Sequence, residues 1–228
     1  MNAFRRLARA LGRYGARETI QRGWSLLHTR AALARDRLLL VEHHVWYELD
    51  PRRSRPRPEL AKGLSLQPGG TADLHWLLEL DTVSPADGLG RLLTGNELWL
   101  VLDGDQVLFS CWIFRERTPA IAAPGGELRL PPGMVCLEDS VTAPAARGRG
   151  IAPAAWVAIF DHLEAGGVEQ VITKVETANL PSRRAVAKAG FAEVAVMHFR
   201  RIAGISRTSV DVLDGERGSI FRERLEGR

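Results

Sequence analysis

VCLEDSVTAPAARGRGIAPAAW, residues Val135–Trp156, is the stretch on which the fold turns. An apolar run holding two acids, Glu138 and Asp139, gives way at Thr142-Ala143-Pro144. An alternating Arg147-Gly148-Arg149-Gly150 step follows, then a long apolar segment that Gly166-Gly167 closes in the manner of a helix C-terminus. After those glycines comes VEQVITKVE (Val168–Glu176), a second strand-like run. Strand, helix and strand in this order make a crossover whose two strands run parallel.

Such a crossover sets a helix N-terminus at the carboxyl end of its first strand. The first N–H groups there have no intrahelical partner and carry roughly half a positive charge. A phosphate fits that position. Gly148 and Gly150 let the backbone come close to an anion, Arg147 and Arg149 add charge and donors, and Pro153 falls in the first helical turn, where its missing N–H costs little. The Arg-Gly-Arg-Gly step alone also occurs in disordered RNA-binding tracts and in surface turns, but a long apolar helical segment does not follow such a tract at once.

Working outward, NLPSRRAVAKAG (Asn179–Gly190) reads as a capped helix, and FAEVAVMHFRRI with SRTSVDVLD (Phe191–Ile202, Ser206–Asp214) as a final strand pair. Upstream, NELWLVLDGDQVLFSCWIFRER (Asn96–Arg117) is a hairpin folded at Asp103-Gly104-Asp105. GTADLHWLLELD (Gly70–Asp81) reads as a helix with a Thr cap, SPADGLGRLLTG (Ser84–Gly95) as a poorer one, and GLSLQP (Gly63–Pro68) as a short strand. RLLLVEHHVWYELD (Arg37–Asp50) reads as one or two strands, PRRSRPRPEL (Pro51–Leu60) as a linker, and residues 2–35 as broken helix. The order of elements predicts an α/β (α+β) chain, a mixed sheet with helices on its faces, plus a basic N-terminal helical and strand extension. The division is an extension over 1–62, a main domain over 63–214 and a flexible tail over 215–228.

The chain has 228 residues, 45% hydrophobic and 25% charged, in the globular range. No run of 18 uncharged apolar residues suggests a transmembrane helix, and no secretory h-region opens the chain, so the expected location is cytoplasmic. Residues 1–62 hold fourteen Lys and Arg against six Asp and Glu, and the remainder 17 against 21, so a +8 arm is joined to a −4 body. Only three of these cations are lysines, a bias that matches a GC-rich, bacterial genome. The arginine-rich start, residues 1–35, is a candidate for weak contact with an acidic membrane surface. Cys111 and Cys136 lie in apolar runs and read as packed, reduced thiols. The six histidines show no ligand spacing, and no metal site is read.

Two motifs carry a family resemblance. RGRGIA (Arg147–Ala152) matches the [QR]-x-x-G-x-[GA] signature of the GNAT superfamily of acyl-CoA-dependent N-acyltransferases, with Thr-Ala-Pro resembling its Val-x-Pro lead-in. NLPSRRAVAKAGF (Asn179–Phe191) resembles the superfamily's Asn-x-x-Ser…Lys-x-Gly-Phe motif, one helix and one strand downstream. The resemblance spans Leu64 to Asp214 and implies that the domain over 63–214 is a GNAT-like acyltransferase domain, its central sheet mixed and mostly antiparallel, with splayed parallel strands and flanking helices. It implies that acetyl-CoA, or another acyl-CoA, is the cosubstrate. Its pyrophosphate would lie on the backbone of Arg147, Gly148, Arg149, Gly150, Ile151 and Ala152, and its pantetheine arm against Val141, Thr142 and Asn179. Ser182 and Lys188 would stand nearby, Ser182 alternatively as a helix cap and Lys188, with Arg183 and Arg184, toward the adenosine phosphates.

The chemistry implied is attack of a primary amine on the thioester. A backbone N–H around Ser140 or Val141 would stabilise the oxyanion, and Glu138 or Asp139 would take the proton. LEDSVTAPAARGRGI is similar to the matching stretch of the polyamine acetyltransferases, which favours Glu138. Asp139 and a structural role for both acids stay open. In a regular strand the two face opposite ways, and a bulge would change which one meets the site. Glu138, Asp139 and Glu176 would make the cleft acidic and suit a cationic amine, a small molecule or a protein. Many relatives carry a Tyr in the Asn-x-x-Ser helix that protonates the leaving thiolate. Val186 holds that position here, and the only tyrosines are Tyr14 and Tyr47. The second reading is therefore a catalytically weak CoA-binding module held to membrane or nucleic acid by the basic arm. A homodimer is compatible with the sequence.

Overall fold

The structure is a computed structural model that describes residues 39–50, 56–215 and 217–226. The helical reading of 2–35, the membrane contact assigned to 1–35 and the first half of the linker lie outside the described residues. By compactness the described chain divides into two units. The smaller takes residues 39–41 and Phe199–Arg207, where Ala203 and Gly204 turn the chain at φ 46° and 86°. The larger takes Glu42–His198 with the residues from Thr208 on, and carries every candidate site residue.

The strands are β1 (Leu39–Leu49), β2 (Leu64–Gly69), β3 (Glu97–Asp103), β4 (Gln106–Phe114), β5 (Arg117–Pro119), β6 (Glu127–Arg129), β7 (Met134–Thr142), β8 (Gln170–Glu176), β9 (Ala192–Ile202) and β10 (Ile205–Val212). The helices are α1 (Trp76–Glu79), α2 (Pro85–Leu93), α3 (Ile151–Ala165), α4 (Leu180–Lys188) and α5 (Arg217–Glu226). Eight strands form one sheet in the order β10-β9-β1-β8-β7-β4-β3-β2, and β5 and β6 form a separate two-stranded ribbon. The pairs β1–β8, β2–β3, β3–β4 and β4–β7 are antiparallel and β7–β8 is parallel. This is the mixed sheet read from the sequence. Gly104, at φ 55°, makes the expected β3–β4 turn.

Three elements differ from the expectation. The strand β1, placed in the N-terminal extension, is hydrogen-bonded into the sheet between β8 and β9, in register from His44↔Glu176 to Leu49↔Val171. Its apolar residues Val45, Tyr47 and Leu49 belong to the main core, which is why it inserts there. The segment read as a flexible tail forms α5, which buries Phe221 and Leu225. Phe221 lies 5.0 Å from the Trp46 ring, centroid to centroid. The single helix expected over Gly70–Asp81 breaks into a 3-10 turn, Thr71–Asp73, and the one-turn α1. There the Asp73 carboxylate accepts from the Gly70 N–H at 2.8 Å, so Asp73 does the capping expected of Thr71.

The two faces of the sheet are covered differently. On one, Val135, Leu137, Phe109, Cys111, Ile113 and Tyr47 pack with α3 and Val186 of α4 in one core. The helix α3 is apolar almost all round, burying Ile151, Ala155, Trp156, Ile159, Phe160 and Leu163 among others. A helix of that kind needs cover on its outer side too. The described part of the linker supplies it: Arg57 bonds Asp161 at 3.1 Å, and Leu60 packs against the core. The opposite face carries Trp112, Cys136, Glu138, Lys174 and Trp46, with α2 and α5 above it. A Cβ at Gly88 of α2 would lie 2.8 Å from Leu74 and 3.6 Å from Trp112, so this glycine admits the close approach of α2. Among the described residues, no helix is long and apolar enough to cross a membrane.

Candidate active site

The parallel pair β7–β8 is short. Its register runs Met134↔Gln170, Val135↔Val171 and Cys136↔Ile172 and then stops, although β7 continues to Thr142 and β8 to Glu176. The Thr173 hydroxyl donates to the Leu137 carbonyl at 2.7 Å and ties the two strands where they part. Beyond it the chain leaves a gap between their carboxyl ends.

A bulge opens the other edge of β7. Ser110 pairs with Val141 and Trp112 with Glu138, so two steps on β4 oppose three on β7. The extra residue sits at Asp139–Ser140, where Asp139 takes φ 46°. Neither residue has a ladder partner on β4, and β8 has already turned away. The Ser140 side chain is occupied: its Oγ accepts from Trp156 Nε1 at 3.2 Å. What Ser140 can offer is its backbone.

At the end of β7 the chain makes a 3-10 turn, Pro144–Ala146, and then the glycine step. Gly148 and Gly150 stand at φ 80° and 74°, with nothing within 4 Å of where a Cβ would be. The glycines are needed for the left-handed backbone itself, more than for clearance. Gly150 is the N-cap of α3 without any side-chain cap. Among the described residues the N–H groups of Arg149 to Ala152 have no backbone partner outside the helix, and Pro153 has none to offer. This is a cradle of the kind a diphosphate fits. Arg149 is exposed beside it. The Arg147 side chain folds back instead, its Nε donating to the Thr142 carbonyl at 3.2 Å. That acceptor was expected to face the pantetheine arm.

Across the gap, Asn179 caps α4, its Oδ1 accepting from the Ser182 N–H at 3.2 Å. The alternative of Ser182 as the cap is thereby corrected. Lys188 and Arg184 are exposed on α4. Arg183 is not available to phosphates. Its guanidinium donates to the Tyr47 hydroxyl at 3.0 Å, the Thr177 carbonyl at 3.2 Å and Glu193 at 2.9 Å. Bonding to Arg183 holds the Glu193 carboxyl below its usual range, while burial pushes the Tyr47 phenol up. Val186, at the position where the resemblance led to the expectation of a tyrosine, is buried in the core.

Both acids of β7 are ion-paired. Glu138 meets Lys174 of β8, with side-chain exposures of 12% and 15%. The same oxygen, Oε1, also accepts from Thr118 Oγ1 at 3.1 Å and Cys136 Sγ at 3.3 Å. Asp139 meets Arg91 of α2 at 2.7 Å. The Arg91 guanidinium lies 5.1 Å and 5.2 Å from the ring centres of Trp112 and Phe114. The two acids of β7 are thus each matched by a cation, and the third acid expected near the cleft, Glu176 at the end of β8, is exposed. Lys174, Thr118 and Arg91 were not singled out from the sequence. Lys174 left a signal all the same, a charged residue inside the apolar run of a parallel strand. Thr118 and Arg91 left none, because both reach the site from elements remote in sequence.

Residues 75–191, just over half of the chain, match the profile of the Acetyltransferase (GNAT) family. Several solved structures are similar. A GCN5-related N-acetyltransferase from Sphaerobacter thermophilus is 14% identical over 90% of this chain and 70% of its own, with a TM-score of 0.55. A GNAT-family protein from Novosphingobium aromaticivorans is 18% identical over 70% of this chain and 63% of its own, with a TM-score of 0.51. A tandem GNAT protein from the clavulanic acid biosynthesis pathway is 14% identical over 73% and 55%, with a TM-score of 0.53. At these identities the likeness is one of fold, and the chain spans less than two thirds of the length of the second and third. No curated protein matches the sequence.

Proposed function

The chain belongs to the GNAT acetyltransferase family, and from that premise we propose that it is an acyl-CoA-dependent N-acyltransferase that moves an acetyl group from acetyl-CoA to a primary amine. The observation that carries the reading is the parting of β7 and β8 beyond Cys136↔Ile172, directly beside the left-handed Gly148 and Gly150 turn. The turn and the first amides of α3 would hold the diphosphate. The gap would take the pantetheine arm along Val141 and Thr142, with Asn179 at its far wall. The thioester then lies at the bulge, where backbone amides without a β4 partner can donate to the oxyanion, a contribution of a few kcal/mol.

The amine attacks the carbonyl carbon, its proton passes to Glu138 directly or through water, and the C–S bond breaks as the tetrahedral species collapses. Glu138 suits that task because every bond it accepts falls on Oε1. That leaves Oε2 to take the proton. Asp139, held by Arg91, serves to fix the bulge. No tyrosine stands in α4 to protonate the thiolate, so water does so. A thiol with an ordinary pKa of about 8.5 leaves as a thiolate without much help.

The test is release of free thiol from acetyl-CoA in the presence of a panel of primary amines, small molecules and peptides with free N-termini or lysines. Turnover with at least one is expected, and Glu138→Gln should lower kcat by about 100-fold. Absence of any CoA binding by calorimetry overturns the site. Binding without turnover favours a CoA-binding module, whose attachment through the basic arm to liposomes or RNA would weaken steeply with salt.

A further inference from the structure

Lys174 is the odd member of β8. It stands between the buried Thr173 and Val175, and its ammonium is satisfied from several directions. It donates to Glu138 Oε1 and, at 2.7 Å, to the Pro119 carbonyl, and it lies 5.6 Å from the centre of the Trp46 ring. The register explains the arrangement. Trp46 of β1 pairs with Lys174, and Trp112 of β4 pairs with Glu138. One row across four strands therefore reads aromatic, cation, anion, aromatic on a single face of the sheet. Pro119 and Thr118 come from the β5–β6 ribbon, so that ribbon is fastened to both members of the ion pair.

We propose that Lys174 is a positioning residue for acyl transfer: it pins Oε1 of Glu138, together with Thr118 and Cys136, so that Oε2 alone is presented to the acceptor amine. The inference rests on the reading of Glu138 as the proton acceptor. Lys174 is not itself the nucleophile. Burial works to lower its pKa, but Glu138, Cys136 and Asp139 together more than offset this and the net shift is upward, so the amine stays protonated. A protonated amine has no lone pair with which to attack a thioester. The other titratable groups that feel this pair are Cys136 and Asp139 on β7, which act on Lys174, and His44 on β1, on which Lys174 acts.

The test is a double-mutant cycle on the full chain, with Lys174→Met, Glu138→Gln and the two together, and Lys174→Arg as the conservative variant. Kinetics use acetyl-CoA and the amine turned over fastest in the panel above. Lys174→Met should lower kcat at least tenfold while the KM for acetyl-CoA stays within twofold, and Lys174→Arg should recover most of the loss. On the Glu138→Gln background the same change should alter kcat less than twofold, because Lys174 acts only through the carboxylate. The double variant also guards against misfolding, since it leaves no buried charge unpaired. Equal losses on both backgrounds, an unchanged kcat in Lys174→Met, or no recovery in Lys174→Arg overturns the proposal. A fully active Glu138→Gln protein would instead remove the reading of Glu138 beneath it, with the CoA cradle untouched.

Discussion

Glu138 and Asp139 are neighbours in sequence and yet do different work, and the difference lies in one torsion. With Asp139 at φ 46°, the strand takes an extra residue there and the two carboxylates point to separate cations, Lys174 and Arg91. Asp is among the residues that tolerate this region, because its short side chain bonds locally. His44 shows a second effect at this scale. Burial lowers its pKa from 6.5, Lys174 lowers it further, Glu176 works against both, and His43 adds to the lowering. A base depressed in the folded state binds fewer protons there than in the unfolded chain. Its contribution is present above 6.5 and is lost as the pH falls toward the folded value. Melting temperatures measured at pH 7.5 and 5.5 should therefore drop on acidification, and drop less in His44→Phe. An identical decline in both proteins would assign the acid sensitivity to other groups.

Elements here are positioned by glycines for two separate reasons, and substitutions distinguish them. Gly150 opens α3 at φ 74° with open space around it, so alanine meets only backbone strain, a cost of roughly 1–2 kcal/mol. Gly150→Ala should stay folded and lose about tenfold in affinity for acetyl-CoA by calorimetry, as the cradle relaxes out of shape. In α5, a Cβ on Gly218 would fall within the carbonyl of Val194 and 2.9 Å from Val212. Gly218→Ala should destabilise by about 2 kcal/mol, as overpacking does, read from the denaturant midpoint. Binding of CoA to the fraction that stays folded should be near normal. The crossover itself was readable in advance: strand, turn, apolar helix and strand follow one another, and each local signal agrees. The bulge was open in the sequence, since a run such as LEDSVT is compatible with a straight strand or a bulged one.

Over the whole molecule, the sheet depends on a strand that a division at residue 62 leaves outside the catalytic domain. β1 lies between β8 and β9 and buries Trp46, Tyr47 and Leu49. Without it both neighbours have an open edge and the core loses one wall. A chain beginning at residue 56 should accordingly show no cooperative thermal transition, monitored by circular dichroism. A sharp transition in that fragment would mean that the sheet can close without β1. Linker-like composition at Pro51–Leu60 hid this, because proline and arginine mark an end to regular structure and say nothing of where the preceding strand pairs. The same holds for α5, whose arginine-rich sequence reads as solvated until Phe221 and Leu225 are seen to share one buried stripe.

The sequence by itself determined the crossover from Val135 to Glu176, the glycine turn that opens its helix, the hairpin at Gly104 and the second motif from Asn179 to Phe191. These are local matters, set by backbone torsions, capping and periodicity within a few residues. Only the tertiary structure decided that β1 completes the sheet, that Arg183 is drawn to Tyr47 and Glu193, and that each acid of β7 meets a cation. Those pairings join residues far apart in the chain, and their energies come from burial and charge proximity, which exist only after the chain has closed upon itself.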